Sequence, residues 1–242
     1  MVAIDSALLD ALPQKRFRDK TAYRLVNSKF PPIAIFDDVA DNDEFEALFR
    51  LQAKTNPRLL DEVGHIRLVR PERRPFGIAG CNYALAPFTH INRLGSRFSR
   101  GEFGVLYAAD AMNTALAETH YHQQRYFQTQ VRGLKYDRIV MRGLKLKFSA
   151  QLLNICSPKI ERYGWYDAND YTAAQQLGDT IKQTDNDGLW YDSVRKPGTS
   201  CYALFSPHLI KSVLQTQHYE FVWNGQRIDA VVELSESEST LS

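Results

Sequence analysis

Residues 93–118 are the most informative stretch of the chain, because a turn, a strand and a helix follow one another there. The apolar run 105–109 comes after Gly101 and Gly104 and predicts a buried strand. Asp110 predicts a helix N-cap, since its side chain can accept the free amide hydrogens of a first helical turn. One buried helix face of about four turns is then predicted from residues spaced by three and four, namely Met112, Ala115, Leu116, Thr119, Gln123 and Tyr126.

Three side chains of this segment suit a phosphorylated, aromatic molecule that contains a ribose. Arg97 offers a planar fork of donors that matches a phosphate bidentately. Tyr107 offers a flat face for a ring, and Glu118 can stabilise positive charge that develops on a sugar carbon. Because a helix rotates by about 100° per residue, Glu118 is expected at the border of the buried face, where a cleft can begin.

The same spacing also fits a purely structural role, in which Arg97 and Glu118 are surface charges and Tyr107 is a core residue. The residues of the motifs favour a functional role instead, because they resemble those of the RES-domain family, the toxin half of RES–Xre toxin–antitoxin modules. Family members carry a G-R-[FW]-N-x-x-G-like turn, a strand with a tyrosine and an A-x-x-E-like helix. Here the turn reads G-S-R-F-S-R-G over residues 95–101 and the helix reads A-L-A-E over residues 115–118. Ser99 replaces the family's asparagine, so a hydroxyl stands where the family has an amide that braces the backbone.

The family's two other landmarks are a serine in a late strand and an arginine on the first strand. Residues 190–195, W-Y-D-S-V-R, match the serine landmark with Ser193. Ser200 is the alternative, and the spacing to Pro207 favours Ser193. Arg67, within H-I-R-L-V, resembles the early arginine. The resemblance extends over about residues 62–215.

This resemblance implies an ADP-ribosyltransferase-like core and an enzyme that breaks the nicotinamide–ribose bond of NAD+, neutralised by an Xre-type helix-turn-helix antitoxin. It assigns catalysis to Glu118, Arg97 and Ser193, and NAD+ binding to Arg67, Arg97, Tyr107 and Ser193. NAD+ is then a substrate and no separate cofactor is expected, with inorganic phosphate as a co-substrate if the reaction is a phosphorolysis. Hydrolysis and transfer of ADP-ribose to a protein remain open. So does a non-catalytic module that binds NAD+ or an antitoxin, although Glu118 argues against it.

The chemistry of the residues fits that reaction independently. Breaking an N-glycosidic bond to a cationic leaving group passes through an oxocarbenium-like state, which one carboxylate can stabilise. The pyrophosphate needs cationic forks, which Arg67 and Arg97 can supply. Nicotinamide leaves as a neutral molecule, so no general acid is strictly required.

The chain is expected to have an α+β fold with mixed or antiparallel strands, divided into three parts. Residues 1–61 are predicted to be a largely helical extension packed on the core, with irregular structure around residues 23–26 and a helix within 36–58 that is capped near Asp41. Residues 62–234 form the predicted RES domain, with strands at 137–141 and 144–148, a helix over 170–184 and a hairpin over 218–232. Residues 235–242 are acidic and serine-rich, which predicts a disordered tail.

Composition favours one soluble enzyme domain in the cytoplasm. The chain has 242 residues, is 44% hydrophobic and carries a net charge of +2, so neither direct nucleic-acid binding nor membrane attachment is expected. The three cysteines are far apart in sequence, which is typical of free thiols in a reducing compartment. No apolar run is long enough for a membrane span, and residues 1–5 lack the start of a signal peptide.

Other motifs are weaker. The chain has no P-loop, no G-x-G-x-x-G turn and no G-x-S-x-G elbow. His120 and His122 lie two residues apart on the predicted helix and face different directions, so no metal site is expected. Arg70, Arg73 and Arg74 form a basic cluster, for which a solvated loop is the default interpretation and a phosphate contact the alternative.

Overall fold

A computed structural model describes residues 6–29, 39, 41–52, 64–131, 133–156 and 163–234. The helices are α1 Ser6–Ala11, α2 Asn42–Gln52, α3 Cys81–Thr89, α4 Met112–Gln130 and α5 Thr172–Gln183, with short 3-10 helices at Ile66–Leu68, Pro71–Arg73 and Pro207–Leu209. The strands are β1 Gln14–Asn27, β2 Leu106–Ala109, β3 Asp137–Asn154, β4 Gly188–Asp192, β5 Ser200–Leu204, β6 Ile210–Trp223 and β7 Ile228–Leu234.

The strands form one mixed sheet in the order β1-β2-β5-β4-β3-β6-β7. β1 also pairs with β3 over almost its whole length, from Gln14 opposite Leu153 to Asn27 opposite Met141, so this part of the sheet closes on itself. β3 and β4 pair in parallel, and the other described pairs are antiparallel. The expected α+β class with mixed strands is therefore confirmed.

The sheet separates two hydrophobic cores because successive strand residues point to opposite faces. In β5, Cys201 and Ala203 pack in the core that also contains residues of α4 and α5, whereas Tyr202 and Leu204 pack in the core that contains residues of α2 and α3. Helices therefore cover both faces, and β2 and β5 are buried in between.

The N-terminal part contains more strand than the sequence indicated. The irregular structure predicted at residues 23–26 is wrong, since these residues belong to β1, a strand of the main sheet. A bulge between Phe17 and Lys20 interrupts the alternation of β1 and hides it in the sequence. The described part of the extension is thus only partly helical. Asp41 caps α2 as predicted, its Oδ1 accepting hydrogen bonds from the amides of Asp43 and Glu44, whereas residues 36–38 and 53–58 of the predicted helix lie outside the described residues.

The strand and helix predicted after the turn are confirmed as β2 and α4, with two local differences. The N-cap of α4 is Ala111 rather than Asp110. Asp110 instead binds across to β5, its Oδ2 accepting a hydrogen bond of 3.0 Å from the Ser200 amide. Tyr126, predicted on the buried face, is 52% exposed, and Phe127 is buried in its place.

The C-terminal half agrees with the predicted pattern. The two predicted strands at 137–148 are parts of the single strand β3, the predicted helix is α5, and β6 and β7 form the predicted hairpin around residues 224–227. The predicted tail lies outside the described residues. Within the described ranges, no helix combines the length and the apolar character needed to cross a bilayer.

Candidate active site

One cleft of about 390 Å³ brings the motif segments together. A volume of this size is typical of small-molecule sites. Its walls come from β1, β2, the turn before β2, and α4. The polar and aromatic side chains of the lining are Tyr23, Arg24, Asn92, Ser96, Arg97, Tyr107, Glu118, Thr119, His122, Tyr171, Tyr191 and Cys201.

Glu118 lies in this cleft at the border of the buried face of α4, as its helical position predicted. Ser193, which is 5% exposed and is not among the residues that line the cleft, donates through its hydroxyl a hydrogen bond of 2.6 Å to Glu118 Oε1. The Arg195 amide donates to the same oxygen at 3.3 Å. The bond from Ser193 is short, as strong hydrogen bonds to a carboxylate are, and together with the longer Arg195 contact it fixes the orientation of the carboxylate. Ser200 contacts Asp110 instead, and the structure therefore brings Ser193 to Glu118.

Tyr107 lines the cleft and also braces the turn. Its hydroxyl accepts a hydrogen bond of 3.0 Å from the Phe98 amide and pairs with the Ser96 hydroxyl at 2.9 Å. Burial raises the pKa of Tyr107 to about 12, so the phenol stays protonated at neutral pH. Ser99, which stands where the family has asparagine, donates through its hydroxyl to the Phe103 carbonyl at 2.6 Å. A hydroxyl therefore still braces this turn.

Arg97 is 9% exposed and is held by the protein on one side of its fork. Its Nη1 donates to the carbonyl oxygens of Trp165 and Asp167 at 3.1 and 2.9 Å. The guanidinium carbon lies 4.5 Å from the centre of the Tyr171 ring, which is a cation–π contact. Arg97 is therefore a well-fixed cation in the lining of the cleft.

Arg67 is not in the cleft. It was expected on the first strand, but it is exposed in the 3-10 helix Ile66–Leu68. Ile66 and Val69, three residues apart, turn inward at this point, and Arg67 between them faces solvent. The placement of Arg67 on a strand is therefore wrong.

Arg24 on β1 is the cleft arginine that the sequence interpretation missed. Burial lowers its pKa to about 10, and its Nη1 is buried without a hydrogen-bond partner among the described residues. The hydroxyl of Tyr171, in the same cleft, is also buried without a described partner. Such groups are rare in folded proteins and each calls for an explanation. The available signal was an arginine within an otherwise apolar stretch, Tyr23 to Val26.

His122 lies one helical turn after Glu118. The residue as a whole is exposed, yet desolvation of its imidazole lowers its pKa, and the charge of Glu118 opposes this effect. The imidazole is therefore neutral at neutral pH. His120 points elsewhere, with Nε2 at 3.2 Å from the Ile228 carbonyl oxygen. The described residues contain no cluster of metal-ligating side chains.

Comparison with known proteins decides the family. The model of the RES domain matches residues 74–224, which is more than half of the chain. The chain belongs to the RES-domain family. A curated relative, the uncharacterized protein y4oC of Sinorhizobium fredii (strain NBRC 101917 / NGR234), is 32% identical over 207 residues, which cover 85% of this chain and 84% of the relative.

Among solved structures, this RES-domain protein is similar to a chain in the crystal structure of the M. tuberculosis MbcT–MbcA toxin–antitoxin complex. The identity is 11% and the TM-score 0.47, over 96% of this chain and 93% of the other. The family match begins after both Arg24 and Arg67, so the N-terminal wall of the cleft lies outside the matched region.

Proposed function

We propose that this RES-domain protein is an NAD+-consuming enzyme that cleaves the nicotinamide–ribose bond, and that it acts in the cytoplasm as the toxin of a module whose antitoxin is of the Xre type. The observation that carries the proposal is the 2.6 Å hydrogen bond from Ser193 to Glu118, in a cleft that also holds an arginine with an unsatisfied donor. The resemblance of the motifs to RES toxins supplies the expected substrate.

Binding of the substrate falls to the cations and rings of the cleft. Arg24 has a buried donor that a phosphate oxygen of NAD+ would satisfy. Arg97 adds positive charge to the same cleft. Tyr107 gives an aromatic wall for the nicotinamide ring, and the Tyr171 hydroxyl is a second donor that a substrate oxygen would satisfy.

Cleavage follows from the charge of Glu118. As the bond between C1′ and the nicotinamide nitrogen breaks, its electron pair goes to the nitrogen and positive charge develops on the ribose. The oriented carboxylate stabilises that charge, and nicotinamide leaves as a neutral molecule. A phosphate oxygen or a water oxygen then bonds to C1′. In hydrolysis the attacking water must lose a proton, and we assign its acceptance to the neutral imidazole of His122, a residue of the cleft lining.

The experiment that tests this proposal is incubation of the purified protein with NAD+, with and without inorganic phosphate, and identification of the products by mass. A phosphorylated ADP-ribose shows phosphorolysis, free ADP-ribose shows hydrolysis, and an added ADP-ribosyl mass on protein shows transfer. Glu118→Gln protein is the matched control. Intact NAD+ under all conditions would refute the enzymatic proposal.

The toxin role needs a separate test in cells. Expression of the chain alone is expected to lower cellular NAD+ and to stop growth, and Glu118→Gln expressed to the same level is expected to do neither. Co-expression of the proposed Xre-type antitoxin is expected to restore growth. Normal growth with the active chain alone would refute the toxin role.

A further inference from the structure

A second cleft of about 260 Å³ lies away from the candidate active site. No described residue lines both clefts. The second cleft is bounded by residues 69–74, which contain the 3-10 helix Pro71–Arg73 and are called the basic loop below. The segment around Phe103, the C-terminal end of α5 and residues 205–207 form its other sides. The proposed NAD+ reaction uses none of these residues.

Three cations converge on this second cleft. Arg70 and Arg73 come from the basic loop and Lys182 comes from the last turn of α5. Partial desolvation lowers the pKa of Lys182, and the charges of Arg73 and Arg70 lower it further, whereas Asp185 opposes them. The cations are therefore close enough to repel one another, and an anion placed among them would relieve that repulsion.

The carboxylates nearby leave this positive charge incompletely neutralised. Asp185 is bound to Arg73 in an ion pair, and Glu102 is the other acidic residue of the lining. Neither Arg70 nor Lys182 has an ion-pair partner in the described part of the chain. Two cationic side chains thus remain available to a ligand, beside an arginine that is already positioned.

Most of the other lining residues of the second cleft are apolar, and three of them are aromatic. Phe88, Phe103 and Phe205 contribute their rings, and Phe103 and Phe205 pack with ring centroids 5.7 Å apart. Lys182 Nζ lies 5.7 Å from the centre of the Phe103 ring. An anionic group next to Lys182 would therefore place the body of the same molecule against an aromatic wall.

We infer that this second cleft binds a small phosphate monoester with an aromatic body. The phosphate dianion binds to Arg70, Arg73 and Lys182. The two guanidinium groups can each donate two hydrogen bonds to phosphate oxygens, and the ammonium group adds a compact positive charge. The aromatic body packs against the half-buried ring of Phe103, which Phe205 supports from within the protein. The inference is independent of the proposed NAD+ reaction, because it uses no residue of the candidate active site.

Phenyl phosphate is the probe, titrated into the full chain by calorimetry and followed by amide chemical shifts in NMR. Saturable binding is expected, with shifts centred on Phe103 and Phe205. The double variant Arg70→Ala/Lys182→Ala should weaken this binding by at least about tenfold, because it removes two charge-assisted contacts. Lys147→Ala, a change at an exposed lysine that lines neither cleft, is the matched control and should bind as wild type does.

Three results would overturn the inference. Shifts confined to the surroundings of Arg24 and Tyr171 would place the probe in the candidate active site alone. Equal weakening in Lys147→Ala and the double variant would show attraction by overall charge alone. If inorganic phosphate binds as tightly as phenyl phosphate, the aromatic body contributes nothing to binding.

Discussion

The two walls of the candidate active site differ in how far the protein satisfies their polar groups. The braced wall is made of Arg97, Tyr107 and Glu118. Hydrogen bonds join these residues to the turn, to the loop around Trp165, and to Ser193. The open wall, made of Arg24 and Tyr171, has a buried donor and a buried hydroxyl without described partners. An unsatisfied buried polar group costs about 1–3 kcal/mol. From this comparison we infer that the braced wall fixes geometry and propose that the open wall is where the substrate binds.

The largest effect is expected from Glu118→Gln in the braced wall. The amide keeps the size of the side chain but removes the charge, so the rate of NAD+ cleavage should fall by about 100-fold. Folding and NAD+ binding should survive. Single-turnover kinetics at saturating NAD+ measure this, with Glu72→Gln, at an exposed glutamate, as the control. Wild-type turnover in Glu118→Gln would mean that the carboxylate only supports structure.

Variants of Arg24 and Arg97 should show that the open wall contributes mainly to NAD+ binding and the braced wall mainly to stability. Arg24→Ala is expected to weaken NAD+ binding by about 2 kcal/mol, or about 30-fold, because a charge-assisted contact to phosphate is lost. Its free energy of unfolding should change by only about 1 kcal/mol. Arg24 Nη1 has no described hydrogen-bond partner, so its removal leaves no other buried group unsatisfied. Arg97→Ala should lower the free energy of unfolding by about 2–4 kcal/mol, since two carbonyl contacts and a cation–π contact disappear.

Calorimetric binding and denaturant unfolding of both variants check this contrast. Arg24→Lys is the control for charge, and should recover binding only in part because an ammonium lacks the fork. Equal losses of stability in the two alanine variants would remove the distinction between the walls.

Ser193→Ala tests the orientation of the carboxylate within the braced wall. Loss of the hydroxyl removes the 2.6 Å hydrogen bond to Glu118, and kcat should fall by about tenfold. The KM for NAD+ should change little, because Ser193 is proposed to act through Glu118. Ser200→Ala is the matched control, since Ser200 uses its backbone amide toward Asp110. A loss in Ser200→Ala as large as in Ser193→Ala would contradict the assignment.

His122 should give the smallest effect, seen in the pH dependence of stability. Its pKa is lowered in the folded protein, whereas the unfolded chain has the ordinary value of about 6.5. As the pH falls below about 6.5, the unfolded state takes up a proton that the folded state resists, so folding stability decreases. Above that pH the contribution vanishes. Unfolding free energies from pH 8 to pH 5 should decline more in wild type than in His122→Gln, and parallel curves would contradict this expectation.

The braced wall was accessible from the sequence because its residues lie in short motifs whose local structure follows from spacing. Glu118 was placed at the border of a helix face by its rotation about the helix axis, and β2 was marked by glycines and an apolar run. Ser193 was chosen by its spacing to Pro207. The contact between Ser193 and Glu118 bridges residues 75 positions apart, however, and only the folded sheet shows it.

The open wall was not accessible in the same way. Arg24 lies on a strand that pairs with β3, more than a hundred residues later, and local pattern does not predict such a pairing. The bulge near Lys20 obscured the alternation that would have marked β1 as a strand. Arg67 was instead matched to the early arginine of the family, but in the 3-10 helix Ile66 and Val69 point into the core and Arg67 between them is exposed.

The most direct test of the central claim is a crystal structure of Glu118→Gln protein with NAD+, since this variant should bind the substrate without consuming it. We expect pyrophosphate oxygens within hydrogen-bond distance of Arg24 Nη1, a substrate oxygen at the Tyr171 hydroxyl, and the nicotinamide ribose facing residue 118. NAD+ bound elsewhere, or bound in this cleft with Arg24 and Tyr171 still unpartnered, would contradict it.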